Sequence, residues 1–199
     1  MFLCDTPDDD PSSNQYREAW LKNIVERSRA REQKAFRILF DLYNAKICTY
    51  LTRQVHNEST ARDLAQNVFI KAWEKLPDIN NPSCFTSWLY KIATNEAHMH
   101  IRSVRQTESF PMDESECSAL QEFMVSGPEK QVEEAELIKY MLAGLSFQHR
   151  TCLILQIDGF SLHEIAELME ISEKNVSVSI SRAREQCRQF FQDVKGEQA

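Results

Sequence analysis

Apolar side chains recur at helical period through most of this chain. Between residues 31 and 54, Phe36, Leu39, Phe40, Tyr43, Ile47, Tyr50 and Leu51 fall on one stripe. Leu64, Val68, Ala72 and Leu76 repeat the pattern over 58–75 and just beyond, and Phe85, Trp88, Leu89, Ile92 and Ile101 repeat it over 83–103. Trp88 belongs to the buried stripe, whereas Tyr90 is expected to be exposed. Only "HNES" (56–59) and "PDINNPS" (77–83) interrupt the periodicity between Gln15 and about Arg105, so three or four helices are predicted there. The period is lost over 106–127, which contain a Pro and a Gly, although Leu120, Phe123 and Met124 could form one apolar turn. It resumes at Pro128, a residue suited to the first position of a helix. The last third reads as helix, Gly-containing turn, helix, short turn and long helix. Ser161 and Glu164 have capping-box spacing, and Ser172 is placed to cap the final helix with Glu173 in its first turn. With Ile165, Ala166 and Leu168 inward from one helix and Val176, Ile180, Ala183 and Cys187 inward from the next, this is a helix-turn-helix pattern. The fold class is therefore all-α. Two small helical domains are expected at 15–105 and 128–195, joined by a flexible acidic linker at 106–127 and preceded by a disordered acidic tail at 1–14.

Charge sharpens this division. The net charge of −7 is unevenly spread, with residues 16–105 carrying +6 and residues 106–139 carrying −7. A basic first domain is thus available to phosphate within an acidic molecule. No run approaches the roughly 20 apolar residues of a membrane span, and the start lacks a basic-then-apolar leader, so a cytoplasmic protein is expected. The six Cys show no metal-ligand spacing and read as free thiols in a reducing compartment.

On the final helix, at about 100° per residue, the face opposite Val176 and Ile180 carries Lys174, Val178, Ser181 and Glu185, flanked by Ser177, Arg182 and Arg188. Small residues near its start allow close approach to a major groove, and Lys174 and Arg182 can reach phosphate or a guanine edge.

Longer motifs carry a specific resemblance. "ARDLAQNVFIKAW" (61–73) and "FTSWLYKIATN" (85–95) are followed, in order, by Leu145, Arg150, Leu155, Gly159, Ser161, "EIA" (164–166), Ser172, Val176 and "RAR" (182–184). In this the chain resembles the extracytoplasmic-function (ECF) sigma factors, which recruit core RNA polymerase to promoters. The resemblance implies a sigma region 2-like bundle and a sigma region 4-like helix-turn-helix. It implies Asp63, Gln66, Asn67 and Lys71 as the polymerase-binding face. For the melted minus-ten element it implies Asn80, Asn81 and Ser83 in the loop, with Lys91, Asn95, Arg102 and Arg105 on the helix that follows. For the minus-thirty-five element it implies Lys174, Ser177, Val178, Ser181 and Arg182. Unstacked bases are captured by hydrogen bonds and apolar faces, which suits the loop and the Asn95 surface. The acidic Asp113, Glu114 and Glu116 would thread towards the polymerase channels. Expected partners are core RNA polymerase, promoter DNA and an anti-sigma factor.

Family members usually carry basic residues where this chain has Ser177 and Ser179, so weaker phosphate contact by the recognition helix is expected. "EAHMHIRSVRQ" likewise replaces the family's basic run after the Asn95 motif. An enzyme is disfavoured. His98 and His100 point to different sides of a helix, no nucleophile motif or Gly-rich phosphate loop is found, and no catalytic residue, metal or cofactor is expected. A helix-turn-helix regulator acting without polymerase would explain the last third but not the motifs of the first half.

Overall fold

The structure, a computed structural model, describes residues 11–107 and 134–196. The linker residues Asp113, Glu114 and Glu116, the Leu120, Phe123 and Met124 turn, and the helix start at Pro128 lie outside them. Among the described residues the elements are helical throughout. The first unit comprises α1 (Pro11–Arg29), α2 (Gln33–Val55), α3 (Glu58–Lys75), two 3-10 turns (Leu76–Asp78 and Pro82–Cys84) and α4 (Phe85–Thr107). The second comprises α5 (Glu134–Ala143), α6 (Phe147–Ile157), α7 (Leu162–Met169) and α8 (Glu173–Gly196). The chain is already helical from Pro11, inside the stretch expected to form a tail.

Local chemistry sets the breaks. Helix α2 ends where His56 adopts a left-handed conformation (φ 56°) and donates its backbone N–H to the Thr52 carbonyl at 2.8 Å. Asn57 then caps α3, its side-chain oxygen accepting from the Thr60 N–H at 2.9 Å. Pro77 and Pro82 preset the two 3-10 turns between α3 and α4.

Helix α2 is the spine of the first unit. Its aromatic residues meet partners edge-on in succession: Phe36 with Trp73, Phe40 with Phe69, Tyr43 with Phe85 and Tyr50 with Tyr90, at centroid distances of 4.9, 4.8, 5.4 and 5.1 Å. The first two pairs hold α3 and the last two hold α4. Each adds about 0.5–1.5 kcal/mol beyond area burial. Leu39, Ile47 and Leu51 fill the space between them, fully buried.

The second unit packs α6 and α8 around Leu142, Leu145, Leu153 and Ala183. Its helix-turn-helix also lies against α2 and α4, so that Cys152, Ile154, Leu155 and Ile165 continue the apolar core of the first unit. The deepest point of this joint is polar. Arg150, 4 % exposed, donates to Gln54 Oε1 (3.3 Å) and to the Leu142 and Leu145 carbonyls (3.2 and 3.4 Å). It also lies 3.2 Å from His56 Nε2, which accepts as a neutral ring. Burial first, then the charges of Arg150 and Lys139, push the His56 pKa down to about 4.

Candidate nucleic-acid interface

Helix α3 turns Ala61, Leu64, Ala65, Val68, Phe69 and Ala72 inward. The same spacing leaves Asp63, Gln66 and Asn67 exposed on its outer face. Lys71 is placed differently. Its Nζ donates to Glu96 Oε1 of α4 at 2.6 Å, so it joins two helices from the edge of that face. Sequence reasoning passed over Ile70, which is 57 % exposed among the polar residues of this face. Its signal was available: an apolar residue set off the buried stripe.

Between α3 and α4, Leu76, Ile79 and Pro82 are buried and pin the loop, while α1 packs against both 3-10 turns. Asn80, Asn81 and Ser83 are exposed on this scaffold. Asn81 also has a structural role, its side-chain oxygen accepting from the Ser83 N–H at 3.1 Å and its amide donating to Cys84 Sγ at 3.2 Å. In α4, Phe85, Leu89, Ala93 and Ala97 form a fully buried stripe at four-residue intervals. Asn95 and Arg102 are exposed, Lys91 is half-buried, and Arg105 lies in the last turns of the same helix. Trp88 packs beside Phe85, as its place on the stripe predicts.

Tyr90 corrects an expectation. It is 4 % exposed, with its ring edge-on to Phe160 of the second unit at 4.8 Å and its hydroxyl donating to Asp158 Oδ2 at 3.4 Å. On the first unit alone it would flank the surface; the helix-turn-helix covers it.

In the second unit, Gly159 takes φ 96° in the turn after α6, a conformation side-chain-bearing residues avoid. The capping box is formed: the Ser161 hydroxyl accepts from the Glu164 N–H, and the Glu164 carboxylate accepts from the Ser161 N–H at 2.8 Å. Ser172 Oγ accepts from the Asn175 N–H at 3.2 Å and starts α8. Val176, Ile180 and Ala183 are buried, while Lys174, Ser177, Val178, Ser181 and Arg182 share the exposed side.

Ser179 does not belong to that side. It is 2 % exposed, and its hydroxyl accepts from Gln148 Nε2 at 2.9 Å. It also hydrogen-bonds the buried Cys152 thiol, whose pKa burial pushes up to about 11. A phosphate contact from this position is ruled out by its direction, so only Ser177 bears on the weakened phosphate contact expected from the recognition helix.

Three other histidines are engaged: His163 with Glu173 at 3.0 Å, His149 with Gln186 at 3.3 Å, and His98 stacked on Phe147 at 4.7 Å. Among the described residues no helix is long and apolar enough to cross a membrane.

Comparison with known proteins agrees with this arrangement. Residues 39–107 match the family model described as Sigma-70 region 2, and residues 135–187 match that described as Sigma-70, region 4. The chain is 30 % identical over 186 residues to the ECF RNA polymerase sigma factor SigW of Bacillus subtilis, covering 89 % of this chain and 100 % of that one. It is 32 % identical over 173 residues to the ECF RNA polymerase sigma-E factor of Escherichia coli, covering 81 % and 89 %. In fold it is similar to CnrH, solved in complex with the cytosolic domain of CnrY, with a TM-score of 0.65, 22 % identity and coverage of 87 % and 97 %. It is also similar in fold to the sigma factor RpoE of Bartonella quintana, solved with the anti-sigma factor NepR, with a TM-score of 0.64, 20 % identity and coverage of 80 % and 98 %. The chain belongs to the ECF RNA polymerase sigma factor family and is an alternative sigma factor of transcription initiation.

Proposed function

We propose that this factor directs initiation through three surfaces and carries no catalytic chemistry of its own. Asp63, Gln66 and Asn67, with Lys71 at the edge, bind core polymerase. Asn80, Asn81, Ser83, Lys91, Asn95, Arg102 and Arg105 take the melted minus-ten strand. Lys174, Ser177, Val178, Ser181 and Arg182 meet the minus-thirty-five duplex. The surfaces divide as residues 15–105 and 128–195, with 106–127 joining them and 1–14 as a leading acidic stretch, in a cytoplasmic protein. The observation that carries this reading is the outward placement of polar residues on α3 and α8, whose apolar partners at the alternate positions are fully used in packing. Neither outer face is needed by the fold, so its composition is free to serve a partner.

Strand capture without fuel needs pockets for unstacked bases. The exposed amide of Asn80 beside the pinned loop and that of Asn95 on α4 are suited to base edges. Polymerase would hold both DNA-binding units at once, so that weak contacts reinforce each other by tethering. An anti-sigma partner is proposed by analogy with the fold neighbour RpoE, solved with the anti-sigma factor NepR.

The test is transcription by purified bacterial core polymerase on a pool of promoter fragments, with and without this protein, sequenced from the transcript ends. Transcripts that depend on the protein and share two spaced elements are expected. Tight binding to a duplex operator without polymerase, and no dependent transcript with it, would overturn the reading.

A further inference from the structure

A cleft of about 690 Å³ has one wall from α2 and the start of α4 and the other from the turn between α6 and α7. Its volume falls within the roughly 300–1,000 Å³ of small-molecule sites. Formal charge in the cleft balances, with Lys46 and Arg53 against Asp158 and Glu164, but hydrogen-bonding capacity does not. Both carboxylates already accept. Asp158 takes Arg53 Nη1 at 3.1 Å and the Tyr90 hydroxyl at 3.4 Å, and Glu164 takes the Ser161 N–H and hydroxyl at 2.8 and 2.7 Å. Three other hydroxyls of the lining are engaged too: Thr49 donates to the Ala45 carbonyl at 2.9 Å, and those of Tyr43 and Thr86 bond each other at 2.7 Å. The groups left over are donors. The Lys46 ammonium meets only the Tyr43 ring, 5.9 Å from its centroid, and the hydroxyls of Ser83 and Ser87 have no hydrogen-bond partner among the described residues. An ammonium and two hydroxyls lining one cleft, with the nearby acceptors occupied, select an oxyanion. On the opposite wall the half-buried ring of Phe160, held edge-on by Tyr90 at 4.8 Å, supplies aromatic surface.

We propose that this cleft binds a small phosphorylated metabolite of nucleotide size, with its phosphates at Lys46, Ser83 and Ser87 and its base against Phe160. The site goes beyond the promoter and polymerase surfaces assigned above, with which it shares only Ser83.

The division of roles between the walls has a consequence for regulation. The phosphate donors all belong to the first unit, and the aromatic wall belongs to the second. A bare polyphosphate therefore needs only α2 and the start of α4, whereas a nucleotide gains from both walls. Its occupancy adds to the free energy that holds the two walls face to face. In this way the concentration of a metabolite reaches the factor through residues outside the polymerase-binding face of α3 and the exposed side of α8.

The test is calorimetric titration of the full-length protein with tripolyphosphate, ATP and GTP, and with spermidine and a 5′-phosphorylated single-stranded tetranucleotide as controls. At least one nucleotide should bind at a 1:1 ratio, more tightly than tripolyphosphate, and should raise the thermal unfolding midpoint as its concentration passes Kd. Lys46→Ala should weaken nucleotide and tripolyphosphate alike by about tenfold, as loss of a charge-assisted hydrogen bond does, and Lys46→Arg should recover most of that loss. Ser87→Ala should weaken both by about threefold. Lys46 is exposed and Ser87 half-buried, so neither change should move the midpoint of the unliganded protein. Phe160→Ala should weaken the nucleotide and leave tripolyphosphate unchanged, even where it loosens the packing around Tyr90, because the phosphate donors stand on the first unit. No binding of any phosphate probe, or binding that Lys46→Ala leaves unaltered, would overturn the site. Spermidine bound in place of the phosphates would overturn its sign. A tetranucleotide bound more tightly than either nucleotide would assign the cleft to the DNA strand instead. Equal loss of both ligands in Phe160→Ala would overturn the base contact.

Discussion

The two surfaces proposed to meet DNA are built differently. The recognition helix α8 carries Lys174, Ser177, Val178, Ser181 and Arg182 within a few turns of one helix, all exposed, with packing left to Val176, Ile180 and Ala183. The proposed minus-ten surface is assembled from a loop and from α4, and several of its residues have second duties. Asn81 caps a 3-10 turn, Lys91 pairs with Glu170, and Asn95 lines the joint between units. Where helical period separates inside from outside, contact and stability are separable residue by residue. Where a loop and an interunit joint supply the surface, one side chain serves both, and a substitution reports their sum.

The largest effect should come from a substitution that violates the inside–outside division on α8. Ser179→Arg forces a guanidinium into the space between Gln148 and Cys152, where it has no carboxylate partner. A loss of about 3 kcal/mol or more of stability is expected from the buried unpaired charge, read as a lowered denaturant midpoint. Ser177→Arg, two residues away and exposed, should leave stability within about 0.5 kcal/mol. It should also steepen the salt dependence of minus-thirty-five binding by about one counterion. Equal behaviour of the two variants would erase the division.

Acid should loosen the joint between the two units at His56 and Arg150, with no direct effect on the exposed side of α8. His56 stays neutral in the compact form because burial, Arg150 and Lys139 hold its pKa down to about 4. Once solvated, the ring returns to about 6.5. The sign follows from proton uptake: the separated or unfolded form binds a proton that the compact form refuses. Stability is therefore complete above about pH 6.5 and is lost as pH falls towards 4, by on the order of 3 kcal/mol in all. Unfolding midpoints between pH 7.5 and 5.5 should fall with pH for the wild type. They should be flatter for His56→Asn, which tolerates the left-handed backbone at this position. A parallel fall in both would remove His56 as the cause.

These contrasts also explain what the sequence could and could not disclose. The Ser161–Glu164 box, the break at His56–Asn57 and the inward stripe of α8 depend on neighbours within four residues, so periodicity and cap chemistry suffice to find them. Ser179 was legible in principle: it lies only about 60° around the helix from Val176, and its polarity concealed a buried hydrogen bond. Tyr90 was not legible in the same way. It flanks its own bundle's stripe, and the residues that bury it, Asp158 and Phe160, lie in the other unit. The same holds for Lys91 and Glu170. Which outward residues a second unit covers depends on docking geometry, to which local periodicity is blind.

The smallest effect separates the two neighbouring asparagines of the loop proposed to meet the minus-ten element. Asn81→Ala removes the acceptor for the Ser83 N–H and the donor to Cys84 Sγ, and should cost about 1 kcal/mol, as loss of a helix cap does. Its effect on initiation would then combine a displaced loop with a lost contact. Asn80 is exposed, and its substitution by Ala should leave the melting temperature unchanged while lowering polymerase-dependent transcript yield. A fall in yield with Asn80→Ala at constant stability assigns base contact to that amide, because no structural route remains. If yield falls only with Asn81→Ala, in step with its lowered melting temperature, the loop acts as a scaffold and capture is left to the α4 surface around Asn95.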